Sequence, residues 1–220
     1  MTRGEEIADG LARVKSRIEA AARRAGRDPE SITLVGISKT KPVEDLRFAF
    51  AAGLRAFGEN RVQEAEEKFQ QLPAGVERHL VGPIQSNKAN RAARVADVVQ
   101  SVDSDDLVRR LDRAAEALGK RLAVFLEVNI GGEATKAGVS PGDVSAIVAS
   151  VRATKALDLR GLMAIPPPGD TRPFFRRLRE LATAHRLPEL SMGMSDDFEV
   201  AIEEGATLVR IGTAIFGSRA

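Results

Sequence analysis

Lys39 is the residue whose type and position point most directly to covalent chemistry. It follows the apolar run Ile32–Ile37 after a single serine, so little chain separates its amine from the predicted core. Burial disfavours the charged form of an amine, and the neutral amine is the nucleophile that attacks a carbonyl. The alternative is a lysine whose stem lies along the protein while its charge reaches water, and position alone slightly favours it. Lys41 is a nearby competitor, but its place beside Pro42 predicts that it begins a helix and points outward.

A second group of residues has the types that bind phosphate. The turn Ser191–Ser195 follows one apolar run, and Gly212 and Thr213 follow the next. Glycine lets backbone N–H groups approach an anion, hydroxyls add donors, and a helix that begins there supplies a positive field. Taken singly, Ser195 could cap a helix that begins at Asp196, and Gly212 could relieve crowding. Together, after consecutive runs, these residues favour a phosphate site.

Arg210 places a charge inside an apolar run, between Val209 and Ile211. A fixed cation in such a place is unfavourable unless it has an acceptor. An ion pair with Glu127 or Glu59 satisfies that need as well as a contact with a ligand does. The sequence leaves these two interpretations open.

The elements that would position these residues are eight short apolar or β-branched runs with helical patterns between them. Most runs lack strict alternation of apolar and polar residues, which is typical of parallel strands covered on both faces. A stripe of Leu11, Val14 and Ile18 predicts a further helix before the first strand. Asn60 with Gln63 resembles a capping box that opens the helix after the second strand. The predicted strands are Ile32–Ile37, Arg55–Gly58, Arg78–Gly82, Asp97–Val102, Leu122–Ile130, Leu159–Ile165, Glu189–Met192 and Leu208–Ile211.

This alternation predicts an α/β fold, a single (β/α)8 TIM-type barrel domain over residues 1–220 with an extra N-terminal helix. A doubly wound open sheet competes with it, because one sequence does not show closure. In a barrel, the chemistry lies at the C-terminal ends of the strands. Lys39, the phosphate turn and Arg210 all fall at such ends.

Composition excludes several classes of function. The 220 residues carry 33 Lys and Arg against 31 Asp and Glu, and 4% aromatic residues, all of them Phe, so we expect no nucleic-acid partner. Without cysteine there is no thiolate metal site, and His79 and His185 fall within a predicted strand and helix, so we expect no metal. No signal peptide or membrane span is visible, and we expect a cytoplasmic protein.

Six strings, in order along nearly the whole chain, closely resemble the pyridoxal phosphate homeostasis protein family, which is similar in fold to the barrel domain of alanine racemase. The family's cofactor is pyridoxal 5′-phosphate (PLP). The strings are Gly36–Pro42, Phe57–Asn60, Gly82–Lys88, Gly161–Pro166, Ser191–Asp197 and Val209–Gly217.

The resemblance implies a role for each candidate residue. Lys39 holds PLP as a Schiff base, Arg210 faces the pyridine nitrogen, and Asn60 approaches the ring. Lys136 lies in a loop where the family also carries a lysine and is offered as a secondary PLP contact. Arg61 departs from the pattern, since many relatives carry an aromatic residue there. The residues that bind the phosphate are Ser191, Ser195, Gly212 and Thr213.

The same resemblance leaves a PLP carrier and an amino-acid racemase of low activity as alternatives. Racemisation needs an acid/base group on each face of the substrate. In the racemase, a tyrosine from a second domain serves the face opposite the lysine, whereas this sequence has no tyrosine and, we expect, no second domain. We therefore favour a monomeric PLP-binding protein that supplies PLP to client enzymes or small amines without robust turnover. A phosphate-binding aldolase-type barrel with Lys39 as nucleophile is a third interpretation.

Overall fold

The computed structural model describes residues 1–133 and 135–217. Within these ranges the chain forms eight strands and nine α-helices. The strands are β1 (Thr33–Ile37), β2 (Ala56–Glu59), β3 (Glu77–Leu80), β4 (Val98–Val102), β5 (Leu122–Glu127), β6 (Leu157–Met163), β7 (Glu189–Ser191) and β8 (Leu208–Ile211). The helices are α1 (Arg3–Arg24), α2 (Val43–Ala51), α3 (Val62–Phe69), α4 (Ala89–Val95), α5 (Asp105–Ala117), α6 (Val144–Arg152), α7 (Arg172–Ala184), α8 (Phe198–Glu203) and α9 (Thr213–Phe216).

The strands form one closed parallel barrel. Each strand pairs with the next, and β8 returns to pair with β1 through Val35 and Arg210, among other partners. The predicted (β/α)8 TIM-type barrel is confirmed, and the open sheet is wrong. All eight predicted strands are present, with ends shifted by a few residues. The largest shift is at β5, where the chain leaves the ladder at Glu127 and Val128 makes only an isolated bridge with Val139.

Helix α1 is the predicted additional helix. Thr2 and Glu5 form a capping box at its start, in which each side chain accepts a hydrogen bond from the other residue's backbone N–H. Its buried stripe includes Leu11, Val14 and Ile18, and it packs against α2, α8 and α9. Because α8 and α9 flank β8, this helix supports the seam where the barrel closes.

The barrel separates two apolar regions. The larger lies between the strands and the surrounding helices. A smaller cluster fills the barrel interior around Phe125, which is fully buried, and its other members are Val35, Ala56, Val98, Ala123, Met163 and Leu208. Above this apolar cluster, toward the C-terminal ends of the strands, the barrel interior also contains polar side chains. Gln100, Ser191 and Arg210 are buried there. Because the interior is packed rather than open as a pore, a site can form on top of this packing at the C-terminal ends of the strands.

Among the described helices, none is long and apolar enough to cross a bilayer.

Candidate functional site

The C-terminal mouth of the barrel holds a cavity of about 250 Å³. The ends of β1, β2 and β8 and the loop after β7 surround it, together with apolar side chains such as Val81 and Ile165. Six of the seven residues predicted from the sequence line it: Lys39, Asn60, Ser195, Arg210, Gly212 and Thr213. The fold therefore brings an amine, a guanidinium and a glycine–hydroxyl turn to one place.

Lys39 is held in place through its two neighbours in the chain. The hydroxyl of Ser38 donates to Glu59 Oε1 at 2.7 Å, and the carbonyl of Ser38 accepts from Lys68 Nζ at 2.8 Å. On the other side, the N–H of Thr40 donates to Glu64 Oε1 at 2.5 Å. The backbone on both sides of Lys39 is thereby fixed. Its own side chain is half-buried and makes no ion pair or hydrogen bond with another described residue.

Lys68, Glu59 and Glu64 form the group that does this holding, which we call the Lys68 clamp. Lys68 Nζ lies 2.8 Å from Glu59 Oε1 and 2.6 Å from Glu64 Oε1. Glu59 is fully buried, and burial raises the pKa of its carboxyl against the opposing hydrogen bonds from Lys68 and Ser38. Its second oxygen has no partner within the described part of the chain. The clamp therefore depends on the Lys68 cation to stabilise a buried carboxylate.

Lys41, which the sequence predicted to point outward, is half-buried and also lines the cavity. The reason is a tight turn after β1. Thr40 adopts a left-handed conformation with φ 65°, and the N–H of Lys41 donates to the carbonyl of Ser38. This turn keeps Lys41 close to the end of β1 before α2 begins.

Asn60 lines the cavity, and its predicted capping box is wrong. Helix α3 begins at Val62 with the exposed Arg61 as its N-cap residue and no side-chain cap. Asn60 instead directly follows β2, where its backbone passes against Gly82. A Cβ atom at position 82 would lie 2.4 Å from the carbonyl oxygen of Asn60, so glycine is required there. The close approach leaves the Asn60 side chain at the cavity.

The turn after β7 and the start of α9 form the hydroxyl-rich side of the cavity. Gly193 has φ +92°, and the Asp197 carboxylate accepts from the N–H of Met194 at 2.7 Å. Asp197, not Ser195, is the N-cap residue of α8, so the capping alternative for Ser195 is wrong. Gly212 lies against β1, where an added Cβ would come within 3.1 Å of the Ile37 carbonyl oxygen.

Arg210 forms the floor of the cavity. It is 4% exposed, and its guanidinium donates to Ser191 Oγ at 2.6 Å and to the Ala164 carbonyl at 3.0 Å. Within the described residues it forms no salt bridge with Glu127 or Glu59. Burial lowers the pKa of Arg210 to about 10, opposed by the charges of Glu127 and Asp197. It therefore remains a cation near neutral pH. The two hydrogen bonds use only some of its five N–H groups, so others can donate to a ligand.

Ser191 differs from the other six predicted site residues. Its hydroxyl is fully buried below the cavity, donates to Gln100 Oε1 at 2.7 Å and accepts from Arg210. Both hydrogen-bonding directions are engaged inside the barrel. Its expected contact with a phosphate stays a prediction.

Lys136 also lies apart from the cavity lining. It belongs to the loop after β5, where its amine lies 2.5 Å from the Glu133 carboxylate. Its expected contact with PLP stays a prediction.

Glu127, at the end of β5, supplies a pH-dependent charge near the site. Burial raises the pKa of its carboxyl to about 7, with Arg210 opposing and Asp103 reinforcing the shift. Because the folded-state pKa exceeds the ordinary value, the native state loses stability as the pH rises from about 4.5 to 7. We expect Glu127→Gln to be more stable than the parent protein by about 1–3 kcal/mol at pH 8. Urea unfolding across this pH range measures the difference, which should shrink toward pH 5.

Glu116→Gln is the matched control, because that carboxylate is exposed at the surface. Its stability difference from the parent should stay within about 0.5 kcal/mol at both pH values. A Glu127→Gln difference that does not vary with pH would contradict the assignment.

Comparisons with known proteins agree with this architecture. A family model described as the alanine racemase N-terminal domain matches residues 10–220. The pyridoxal phosphate homeostasis protein of Pseudomonas aeruginosa is 49% identical over 97% of this chain and 96% of its own length. That of Escherichia coli is 44% identical, with 97% of each chain covered.

Solved structures give the same picture. The structure of PipY from Synechococcus elongatus with PLP bound has a TM-score of 0.84 and 39% identity, and the match covers 96% of this chain and all of PipY. An alanine racemase from Clostridium difficile has a TM-score of 0.74 at 15% identity, and the match covers 98% of this chain but 57% of the racemase. The racemase therefore shares the barrel fold.

Proposed function

Because the chain belongs to the pyridoxal phosphate homeostasis protein family, we propose that it binds PLP through a Schiff base on Lys39 and holds PLP for supply to other proteins. The observation that carries this proposal is the placement of Lys39. The amine of Lys39 is half-buried, has no carboxylate partner among the described residues, and lies in one cavity with the buried cation Arg210. Three of the residues predicted to bind phosphate line the same cavity: Ser195, Gly212 and Thr213.

The residues present fit the three functional groups of PLP. An aldehyde needs an amine, which Lys39 provides. A phosphate needs backbone N–H groups and hydroxyls, which the start of α9 at Thr213 and the Ser195 turn provide. A pyridine nitrogen needs a donor, and Arg210 lies deeper than Lys39, in register with Val35 of β1. A ring set between Lys39 and the barrel floor would direct its nitrogen toward that guanidinium.

The protonation state of Arg210 bears on turnover. Bound PLP can withdraw electrons from a substrate carbon, most strongly when its ring nitrogen carries a proton. Arg210 keeps its proton near neutral pH and can only donate a hydrogen bond. Arg210 would thus weaken electron withdrawal by the ring without forbidding it, so it does not by itself separate a carrier from a racemase.

A racemase of low activity is the second candidate function, favoured by the shared barrel fold. Two-base racemisation requires a second acid/base group opposite the lysine, and this sequence has no tyrosine for that role. Incubation of the PLP-loaded protein with L-alanine and other L-amino acids, followed by chiral chromatography, separates the alternatives. Conversion at a rate typical of enzymes, about 1 per second or faster, would overturn the carrier proposal.

Binding is tested by adding PLP to the purified protein and recording its absorbance. We expect a Schiff-base band that saturates at one PLP per chain. Borohydride reduction should then fix the adduct, and peptide mapping should find it on Lys39 rather than on Lys41 or Lys136. A protein that stays colourless with excess PLP would overturn the proposal and favour the aldolase-type alternative.

The cytoplasm as location, the monomeric state and client enzymes as recipients belong to the same proposal. Cell fractionation, sedimentation of the PLP-loaded protein and PLP transfer to an apoenzyme test them in turn. A dimer at micromolar concentration, or transfer no faster than from free PLP, would contradict the corresponding part.

A further inference from the structure

A continuous line of polar side chains crosses the interior of the barrel below the cavity. We call it the interior chain, and it consists of Arg210, Ser191, Gln100, His79 and Glu77. Arg210 Nη1 lies 2.6 Å from Ser191 Oγ, which lies 2.7 Å from Gln100 Oε1. Gln100 Nε2 lies 2.9 Å from His79 Nδ1, and His79 Nε2 lies 3.0 Å from Glu77 Oε2. The line thus runs from the cavity floor to the first residue of β3.

The hydrogen bonds in this line all have the same direction. Ser191 donates to the Gln100 oxygen, so the Gln100 amide N–H must donate to His79 Nδ1. That nitrogen then has no proton, and the imidazole proton lies on Nε2 and is donated to Glu77. The pKa of Glu77 is lowered, chiefly by this bond with His79. The chain therefore leads from a cation at the cavity to an anion at the opposite mouth.

The placement of these side chains is unusual for a barrel interior, which branched apolar residues ordinarily fill. His79 is 1% exposed and Gln100 and Ser191 are fully buried, so each polar atom left without a partner would carry a desolvation penalty. Reversing any one bond forces its neighbours to reverse or to lose their partners. The chain consequently fixes the Ser191 hydroxyl, with its proton turned to Gln100 and a lone pair turned to Arg210.

We propose that Gln100 and His79 are positioning residues for PLP, which act through Ser191 to hold the Arg210 guanidinium toward the pyridine nitrogen. The inference rests on the proposed function for its ligand, but the orientation of Arg210 is a property of the protein alone. Neither Gln100 nor His79 lines the cavity. Their effect on a bound ring can therefore reach it only through the chain.

The test compares two interruptions of the chain with a conservative replacement. Gln100→Leu and His79→Phe remove the hydrogen bonds, whereas His79→Gln offers an acceptor toward Gln100 and a donor toward Glu77. Val98→Ala is the packing control, because Val98 belongs to the interior apolar cluster and lies in register with His79 without joining the chain. The main readout is the ¹⁵N resonance of the pyridine nitrogen in labelled PLP at saturation.

We expect both interruptions to move this resonance toward that of a pyridine nitrogen without a hydrogen bond, and to weaken PLP retention about three- to tenfold. His79→Gln should restore the parent resonance. Val98→Ala should lower the stability of the fold while leaving the resonance unchanged. An unchanged resonance in both interrupted variants would overturn the inference.

A second readout covers the protein without PLP. The rotation of the Arg210 guanidinium, measured from its side-chain ¹⁵N signals, should be faster in Gln100→Leu and His79→Phe than in the parent and Val98→Ala. If the parent binds no PLP, the proposed function fails while this measurement still decides whether the chain positions Arg210. Equal rotation in all variants would overturn the inference even if PLP binds.

Discussion

Lys39→Ala is expected to abolish the borohydride-stable PLP adduct in the cavity, because it removes the half-buried amine that directly follows β1 at the cavity. The cavity would keep the Ser195 turn, Thr213 and Arg210, so weak noncovalent binding should persist, about tenfold or more below that of the parent. Since Lys39 makes no ion pair or hydrogen bond with another described residue, the free energy of unfolding should change by less than about 0.5 kcal/mol. Absorbance, mass spectrometry of the reduced protein and urea unfolding measure the three quantities.

Two matched variants distinguish Schiff-base formation by Lys39 from the effect of a positive charge or of a neighbouring amine. Lys39→Arg keeps a cation at the position but cannot form a Schiff base, so it should lose the adduct as fully as Lys39→Ala. Lys41→Ala removes the neighbouring amine of the same cavity and should keep the adduct on Lys39. A stoichiometric adduct in Lys39→Ala, or its loss only in Lys41→Ala, would assign the covalent role to another lysine.

Lys68→Met is expected to cost about 3–5 kcal/mol of folding free energy, because it leaves the buried Glu59 carboxylate without its cation. The loss should be smaller near pH 5 than at pH 8, since burial already raises the pKa of Glu59 and removal of Lys68 raises it further. Below that pKa the carboxyl takes up a proton and the buried charge disappears. Urea unfolding at the two pH values measures both effects.

The Lys68 clamp also predicts a functional consequence of this variant. With the carbonyl of Ser38 released, Lys39 should form its adduct more slowly in the fraction that stays folded. Lys155→Met, which removes an exposed cation paired with Glu116 at 3.6 Å, should change stability by less than about 0.5 kcal/mol. Adding Glu59→Gln to Lys68→Met should recover a large part of the loss. Equal losses for Lys68→Met and Lys155→Met would contradict the clamp.

The strands were predictable because burial on both faces of a strand requires a nearly continuous run of apolar residues. Runs such as Leu122–Ile130 are apolar nearly throughout, and the helices between them supply the alternation of a (β/α)8 barrel. Closure itself was not predictable from periodicity. It depends on pairing between Val35 of β1 and Arg210 of β8, which are far apart in the sequence.

The site was predictable where side chains follow strand ends and unpredictable where turn geometry or register decides their direction. Thr40 makes a left-handed turn before Lys41, which lines the cavity. The backbone of Asn60 passes against Gly82, and Asn60 lines the cavity ahead of α3. Ser191 follows the strand pleat inward, one of several polar residues on inward positions. The sequence placed His79 within a strand and assigned it no role, and it gave no role to its polar partner Gln100, in β4. Their inward position on neighbouring strands is the signal that could have found the interior chain.

Pairing between the first and the last strand also sets the order in which the site can exist during synthesis. Lys39 precedes Arg210, Gly212 and Thr213 along the chain, so it leaves the ribosome before they do. Contacts between residues so far apart in sequence form late in folding, because the entropy of closing a long loop is lost before the contacts stabilise the chain. The complete cavity thus appears only after β8 has joined β1, so tight PLP capture on a growing chain would report that its barrel has closed.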